Sequence, residues 1–173
     1  EQKQKVHKKL PSGLTVEYQE NKEGQRDGVY LMKTAEGDTL ELSYYSEGQL
    51  EGQRIIYTDS GTVELKEWYE SGQLNGTYMS YYPSGALKYE GMYDQNEMIG
   101  VWKFYYETGA IKEKVSYKEN LENGPFEEYD SNGTLRAKGH YLNGDKEHGL
   151  LYLYDEEGAP RRVMDCNNGV CIT

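Results

Sequence analysis

The sequence predicts an all-β chain: an elongated single-layer antiparallel sheet of about six consecutive β-hairpin repeats of 24 residues each. Three observations predict it. Glycines recur at a fixed period, tyrosines recur at fixed offsets from those glycines, and runs of β-forming residues alternate with turn signals without any helical spacing.

The period comes first. Gly28, Gly52, Gly76, Gly100 and Gly124 are spaced by 24, and Gly149 follows with one extra residue. A second glycine sits nine positions after each: Gly37, Gly61, Gly85, Gly109, Gly133 and Gly158. Five positions after the leading glycine come Tyr57, Tyr81, Tyr105, Tyr129 and Tyr154, with Lys33 in the first copy. Seventeen positions after it come Tyr45, Tyr69, Tyr93, Tyr117 and Tyr141, replaced by Cys166 in the last copy. Upstream, Pro11-Ser12-Gly13 echoes Pro83-Ser84-Gly85. Residues 1–27 are therefore expected to form a basic arm and a degenerate leading repeat, with residues 28–173 holding the six regular ones.

Within a repeat, Thr58-Asp59-Ser60-Gly61 and Tyr82-Pro83-Ser84-Gly85 have the chemistry of a three-residue hairpin loop. Pro83 suits a turn position with φ near −65°, and the closing glycine supplies the left-handed residue. The flanking run Val101-Trp102-Lys103-Phe104-Tyr105-Tyr106 is rich in β-formers. A second linker, Tyr-x-x-Gly-x-x-x-Gly in Tyr45–Gly52 and Tyr69–Gly76, returns the chain to the next hairpin.

Composition alone points the other way. The 173 residues carry a net charge of −11, and Leu, Ile, Val and Phe make up only about 17% of them. Such a chain is usually disordered. The 18 tyrosines change that expectation, because each ring buries apolar area while its hydroxyl stays wet. The chain should fold around a shallow aromatic layer.

Charge narrows the partners. Residues 1–27 hold six Lys/Arg against five Asp/Glu, and the rest holds 13 against 25. Nucleic acid is not an expected ligand of so acidic a body. No apolar run is long enough for a transmembrane helix.

Gly100-Val101-Trp102-Lys103-Phe104-Tyr105-Tyr106-Glu107-Thr108-Gly109-Ala110-Ile111-Lys112 resembles the MORN repeat family, in its bacterial, antitoxin-like variant. The resemblance covers about residues 28–165, departing at Lys33, Thr39 and Pro160 as terminal copies do. It implies a non-catalytic scaffold that binds a protein through an extended β surface, an antitoxin-like partner binder being one case. A cell-surface glycan or lipid-headgroup binder is the alternative.

The loop register assigns faces. Counting each leading glycine as position 1, position 7 pairs with 11, so Tyr105 should oppose Ile111, Phe104 oppose Lys112, and Trp102 oppose Lys114. On this count Tyr57, Tyr81, Tyr105, Tyr129 and Tyr154 form the structural core. The opposite face then gathers Trp102, Phe104, Lys112, Lys114, Phe126, Arg136 and Lys138 as the candidate binding face, suited to glycans, phosphates or an acidic protein. The alternative is that lysine stems merely cover exposed rings.

No catalytic constellation, cofactor fingerprint or metal-ligand spacing occurs, so no enzyme, cofactor or metal is expected. Cys166 and Cys171 flank Asn167-Asn168-Gly169-Val170, a tight-turn signal that predicts a terminal disulfide clip; two free thiols are the alternative. A disulfide would imply an oxidising compartment, and a start at Glu1 fits removal of an export signal or a trimmed chain.

Overall fold

Turn chemistry builds the strands. In the computed structural model, which describes residues 3–173, the Thr58 amide donates to the Thr62 carbonyl (2.8 Å) and the Gly61 amide to the Thr58 carbonyl (2.9 Å). That is the expected three-residue loop, and Gly61 closes it at φ 82°. The same bonds recur at Thr34–Asp38, Tyr106–Ala110, Asp130–Thr134 and Asp155–Ala159. They also recur at Leu10–Leu14, so residues 4–20 form a hairpin of the same kind. The first two residues of the expected arm, Glu1 and Gln2, lie outside the described residues.

The second linkers are hairpins too. Glu47-Gly48, Ser71-Gly72, Gln95-Asn96, Glu119-Asn120 and Asn168-Gly169 all have positive φ, the two-residue turn that matches the twist of its strands. The extra residue before Gly149 widens one of these turns, where Leu142 closes on Lys146 (3.0 Å) around Asn143, Gly144 and Asp145. These turns also tie each hairpin to the previous one. Gly48 donates to the Arg26 carbonyl, Gly72 to Leu50, Gly144 to Glu122 and Gly169 to Glu147, at 2.8–3.0 Å.

The chain is all-β and antiparallel, with no helix among the described residues. It divides into two units, Glu1–Gly85 and Ala86–Thr173. Unit 1 holds β1 (Gln4–Lys9), β2 (Thr15–Glu20), β3 (Arg26–Lys33), β4 (Thr39–Ser46), β5 (Gln49–Leu50), β6 (Gly52–Tyr57), β7 (Val63–Glu70), β8 (Gln73–Leu74) and β9 (Gly76–Tyr81). Unit 2 holds β10 (Leu87–Asp94), β11 (Glu97–Tyr105), β12 (Ile111–Lys118), β13 (Leu121–Tyr129), β14 (Leu135–Tyr141), β15 (Gly149–Tyr154), β16 (Pro160–Asn167) and β17 (Val170–Ile172). In each unit the strands pair in chain order, hairpin after hairpin.

The register corrects the expected faces. Tyr57 opposes Val63, Tyr105 opposes Ile111 and Tyr129 opposes Leu135, as the loop requires. One residue further from the loop the count slips. Phe104 opposes Glu113 in place of Lys112, and Trp102 opposes Val115 in place of Lys114. A β-bulge between Phe104 and Tyr105 leaves Lys112 as the extra residue. The same slip leaves Leu40, Glu64, Arg136 and Arg161 as the extra residues of their hairpins. One added residue moves every later side chain to the other face.

The core therefore lies on the face opposite to the one expected. Trp102 is 2% exposed and Phe126 3%, while Tyr57, Tyr81, Tyr105, Tyr129 and Tyr154 are only half-buried. In unit 2 the buried cross-strand row runs Trp102–Val115–Phe126–Gly139. Phe126 stacks on Tyr141 (centroids 4.1 Å apart), and Trp102 meets Tyr93 edge-on (5.3 Å) and Tyr117 (6.0 Å). In unit 1, Val16, Tyr18 and Tyr30 form the buried cluster, with Tyr45 against Tyr30.

Glycine makes the fit possible. A Cβ on Gly91 would lie 2.1 Å from the Trp102 ring, and one on Gly139 would lie 3.0 Å from Phe126. Both glycines sit in extended strands, so their value is the missing side chain.

Candidate interaction surfaces

The half-buried tyrosines clamp one hairpin to the next on the outer face. The Lys66 ammonium sits 5.7 Å from the Tyr81 ring, Lys114 5.4 Å from Tyr129, and Lys138 6.0 Å from Tyr154. Tyr105 achieves the same by donating its hydroxyl to Glu90 (2.7 Å). Burial, reinforced by that bond, pushes the Tyr105 hydroxyl up to about 12. Around Tyr129 the clamp is a small network. Lys114 and the Tyr129 hydroxyl both donate to Glu127, at 2.9 and 2.7 Å. These bonds, the tyrosine's first, hold the Glu127 carboxyl below its usual range.

The expected binding face is thus split between two surfaces. Trp102 and Phe126 are core, and Phe104, half-buried, opposes Glu113 on the same side. Lys114 and Lys138 belong to the outer face, in the cross-strand row Lys103–Lys114–Glu127–Lys138–Tyr152. Lys112 and Arg136 are bulge residues; Lys112 is exposed, its ammonium 6.0 Å from the Tyr106 ring. The rings and cations that were to recognise a glycan or headgroup together do not share a surface.

Residues 74–95, 98–119 and 122–143 each match the family model described as the MORN repeat variant. Residues 74–143 are thus three consecutive MORN repeats. No curated protein matches it. MORN repeats are modules for binding proteins or membrane lipids, so the surfaces they leave open are where function is to be sought. The hairpins flanking the three matched repeats keep the same loop, the same bulge and the same inter-hairpin bonds.

Unit 1 carries a surface that the residue pattern did not announce. On its outer face Leu31, Leu42 and Ile55 form a cross-strand row. Beside it Val29 opposes Tyr44 and Gln53 opposes Trp68. Val29, Tyr44 and Trp68 are 38%, 41% and 46% exposed. In the MORN repeats of unit 2 the equivalent row is the charged one through Lys103, Lys114 and Lys138. The one signal was Leu42, standing where later copies carry Lys66, Glu90, Lys114 and Lys138.

The aromatic face of unit 1 also contains charge. Arg54 opposes Glu67 where the neighbouring repeats put rings and small residues. Its guanidinium grips Glu41 through Nε (2.8 Å) and Nη2 (3.3 Å) and reaches Glu67 through Nη1 (3.1 Å). Tyr69 donates to Glu67 and Ser43 to Glu41, both at 3.1 Å. The bonds to Glu41, and then those to Glu67, hold Arg54 protonated well beyond its ordinary range. Glu67 is 7% exposed, and its carboxylate is occupied by Arg54 and Tyr69 within the sheet.

At the end of unit 2, Cys166 and Cys171 oppose each other across β16 and β17 with Cα atoms 4.0 Å apart, and a disulfide joins them. No group of three His, Cys, Asp or Glu side chains among the described residues is placed to hold a metal. Among the described residues no helix is long and apolar enough to cross a membrane.

Proposed function

We propose that the chain is a non-catalytic scaffold that docks a folded protein on the outer face of unit 1. One observation carries the reading. Val29, Tyr44 and Trp68 stand exposed around Leu31, Leu42 and Ile55 on a face whose counterpart in unit 2 is a lysine row. Exposed aromatics over an apolar base are the composition of an interface centre, where a few large side chains carry most of the affinity. Neutralising a toxin is one instance of such docking, and the likeness to bacterial antitoxin-like repeats favours it. The Cys166–Cys171 disulfide supports an oxidising compartment, and so an exported chain.

A photo-crosslinking residue at Gln53, which lies beside Trp68, tests the reading in source cells. One discrete adduct should form and be identified by mass spectrometry. Tyr44→Ala with Trp68→Ala should abolish that adduct while leaving the unfolding midpoint nearly unchanged, because both side chains are exposed. An adduct that survives the double substitution removes this face as the docking surface.

A further inference from the structure

Unit 2 gathers uncompensated positive charge at its bulges. Beside the three-residue loops the extra residue is Leu40 or Glu64 in unit 1, but Lys112, Arg136 and Arg161 in unit 2, whose other register shifts, at Gly91 and Ser116, carry no cation. A bulge re-aims its side chain away from the regular ladder. Two of these cations, Arg136 and Arg161, line a cavity of about 390 Å³ together with Arg162. Arg162 is positioned by its pairing with Leu153, which in turn opposes Ala137, the neighbour of Arg136.

Among the described residues none of Arg136, Arg161 and Arg162 forms an ion pair, in a chain with a net charge of −11. The Nη1 atom of Arg136 is buried without a hydrogen-bond partner. Such an atom is uncommon in a folded protein, and an acceptor bound in the cavity would satisfy it. The nearby carboxylate, Glu128, lines the cavity but opposes Ala137 on one side and Glu113 on the other. The rest of the wall is apolar and aromatic, from Leu153 and Tyr154.

We propose that this cavity binds a phosphomonoester: the three guanidiniums take the phosphate, and the organic group lies on Leu153 and Tyr154. Guanidinium forks match phosphate oxygens two at a time, which is why arginines and not lysines are expected at such a site. The volume fits a small molecule. A dianion also relieves the mutual repulsion of three like charges, which a carboxylate would do only in part.

Phenyl phosphate is the probe, titrated into the full chain by calorimetry, with inorganic phosphate and phenylacetate as comparisons. Saturable binding is expected, tighter for phenyl phosphate than for either. Each guanidinium removed should weaken it roughly tenfold, so Arg161→Gln with Arg162→Gln should cost about a hundredfold. Both residues are exposed, and a circular dichroism melt will confirm that the variant is folded. Lys103→Gln, on the outer face, should leave the affinity unchanged. The proposal fails if phenyl phosphate does not saturate at millimolar concentration, or if the Lys103 variant weakens binding as much as the arginine pair. Equal affinity for inorganic phosphate would remove the ester assignment. Binding only to phosphatidylcholine vesicles containing phosphatidic acid would assign the arginines to a membrane surface and overturn the small-ligand site.

Discussion

Removing Trp102 should unfold unit 2 more readily than any other single truncation on its aromatic face. The ring is 2% exposed, lies against the backbone of Gly91, and is held edge-on by Tyr93 and Tyr117. A tryptophan buries about 150–250 Å², which at ~25 cal/mol per Å² is about 4–6 kcal/mol. A partly compact unfolded chain lowers that to roughly 3–5 kcal/mol, the usual loss for Trp→Ala. A unit the length of Ala86–Thr173 holds on the order of 4–13 kcal/mol, so the substitution removes a large part of its stability. The comparison variant is Tyr105→Phe, which keeps the ring and deletes only the hydroxyl bonded to Glu90, for about 1 kcal/mol. Urea unfolding followed by circular dichroism at the β-sheet band measures both. Gly91→Ala supplies the converse perturbation, because its Cβ would meet the same ring at 2.1 Å. Coupling between Gly91→Ala and Trp102→Ala in a double-mutant cycle should then be strong, with the second change relieving the first. If Trp102→Ala costs less than about 1 kcal/mol while Tyr105→Phe costs more, the aromatic face is not the core and the reasoning from register fails.

Two further outcomes follow from the charged side chains. Arg54→Met leaves Glu67 buried without its cation and should cost about 3–5 kcal/mol; adding Glu41→Leu and Glu67→Val should recover most of that by urea unfolding, and no recovery would refute a purely structural network. Burial first, and then Glu128 across the strand pair, raises the Glu113 carboxyl above its ordinary value. A raised folded value means that its contribution is fully present below the unfolded value near ~4.3 and is lost as pH rises through the folded one. Glu113→Gln should therefore flatten the fall in stability above about pH 4 and be the more stable protein at pH 7, and a less stable variant at pH 7 would contradict the sign.

How much of this was legible depended on whether a signal was local. The long loops were legible because Gly61, Gly109 and Gly133 sit where only a left-handed residue closes the turn, and that chemistry spans a few residues. The faces were not legible. The bulge beside each three-residue loop adds one residue with no residue type of its own: the extra position is Leu40, Glu64, Lys112, Arg136 or Arg161 in different copies. Counting by twos past it inverted Trp102 and Tyr105. The Arg54 network escaped for another reason. Its members are 13 residues apart in each direction, and in an acidic sequence two more glutamates look like solvated surface. The second hairpin of each repeat was only half legible, because Gln95-Asn96 and Glu119-Asn120 adopt positive φ without glycine.

The bulge also explains why the outer surfaces are free to diverge. A single sheet has no second layer to cover its rings, so one face must lid itself. In unit 2 it does so by leaning tyrosines over the central row: Tyr93 and Tyr117 enclose Trp102, and Tyr141 covers Phe126. The lids stay hydrogen-bonded or wet at their tips, as Tyr117 does by donating to Glu122 (3.2 Å). A bulge sharpens the local bend of a strand pair, which brings side chains on one face closer and spreads those on the other. The crowded face is then constrained ring by ring, down to the missing Cβ of Gly91. The spread face needs only one contact per hairpin, and a lysine over a tyrosine or a glutamate bonded to one serves equally well, as Lys66, Glu90 and Lys114 show. Everything else on that face can change without cost to the fold. That freedom is what lets unit 1 turn Leu31, Leu42 and Ile55 outward beside Tyr44 and Trp68.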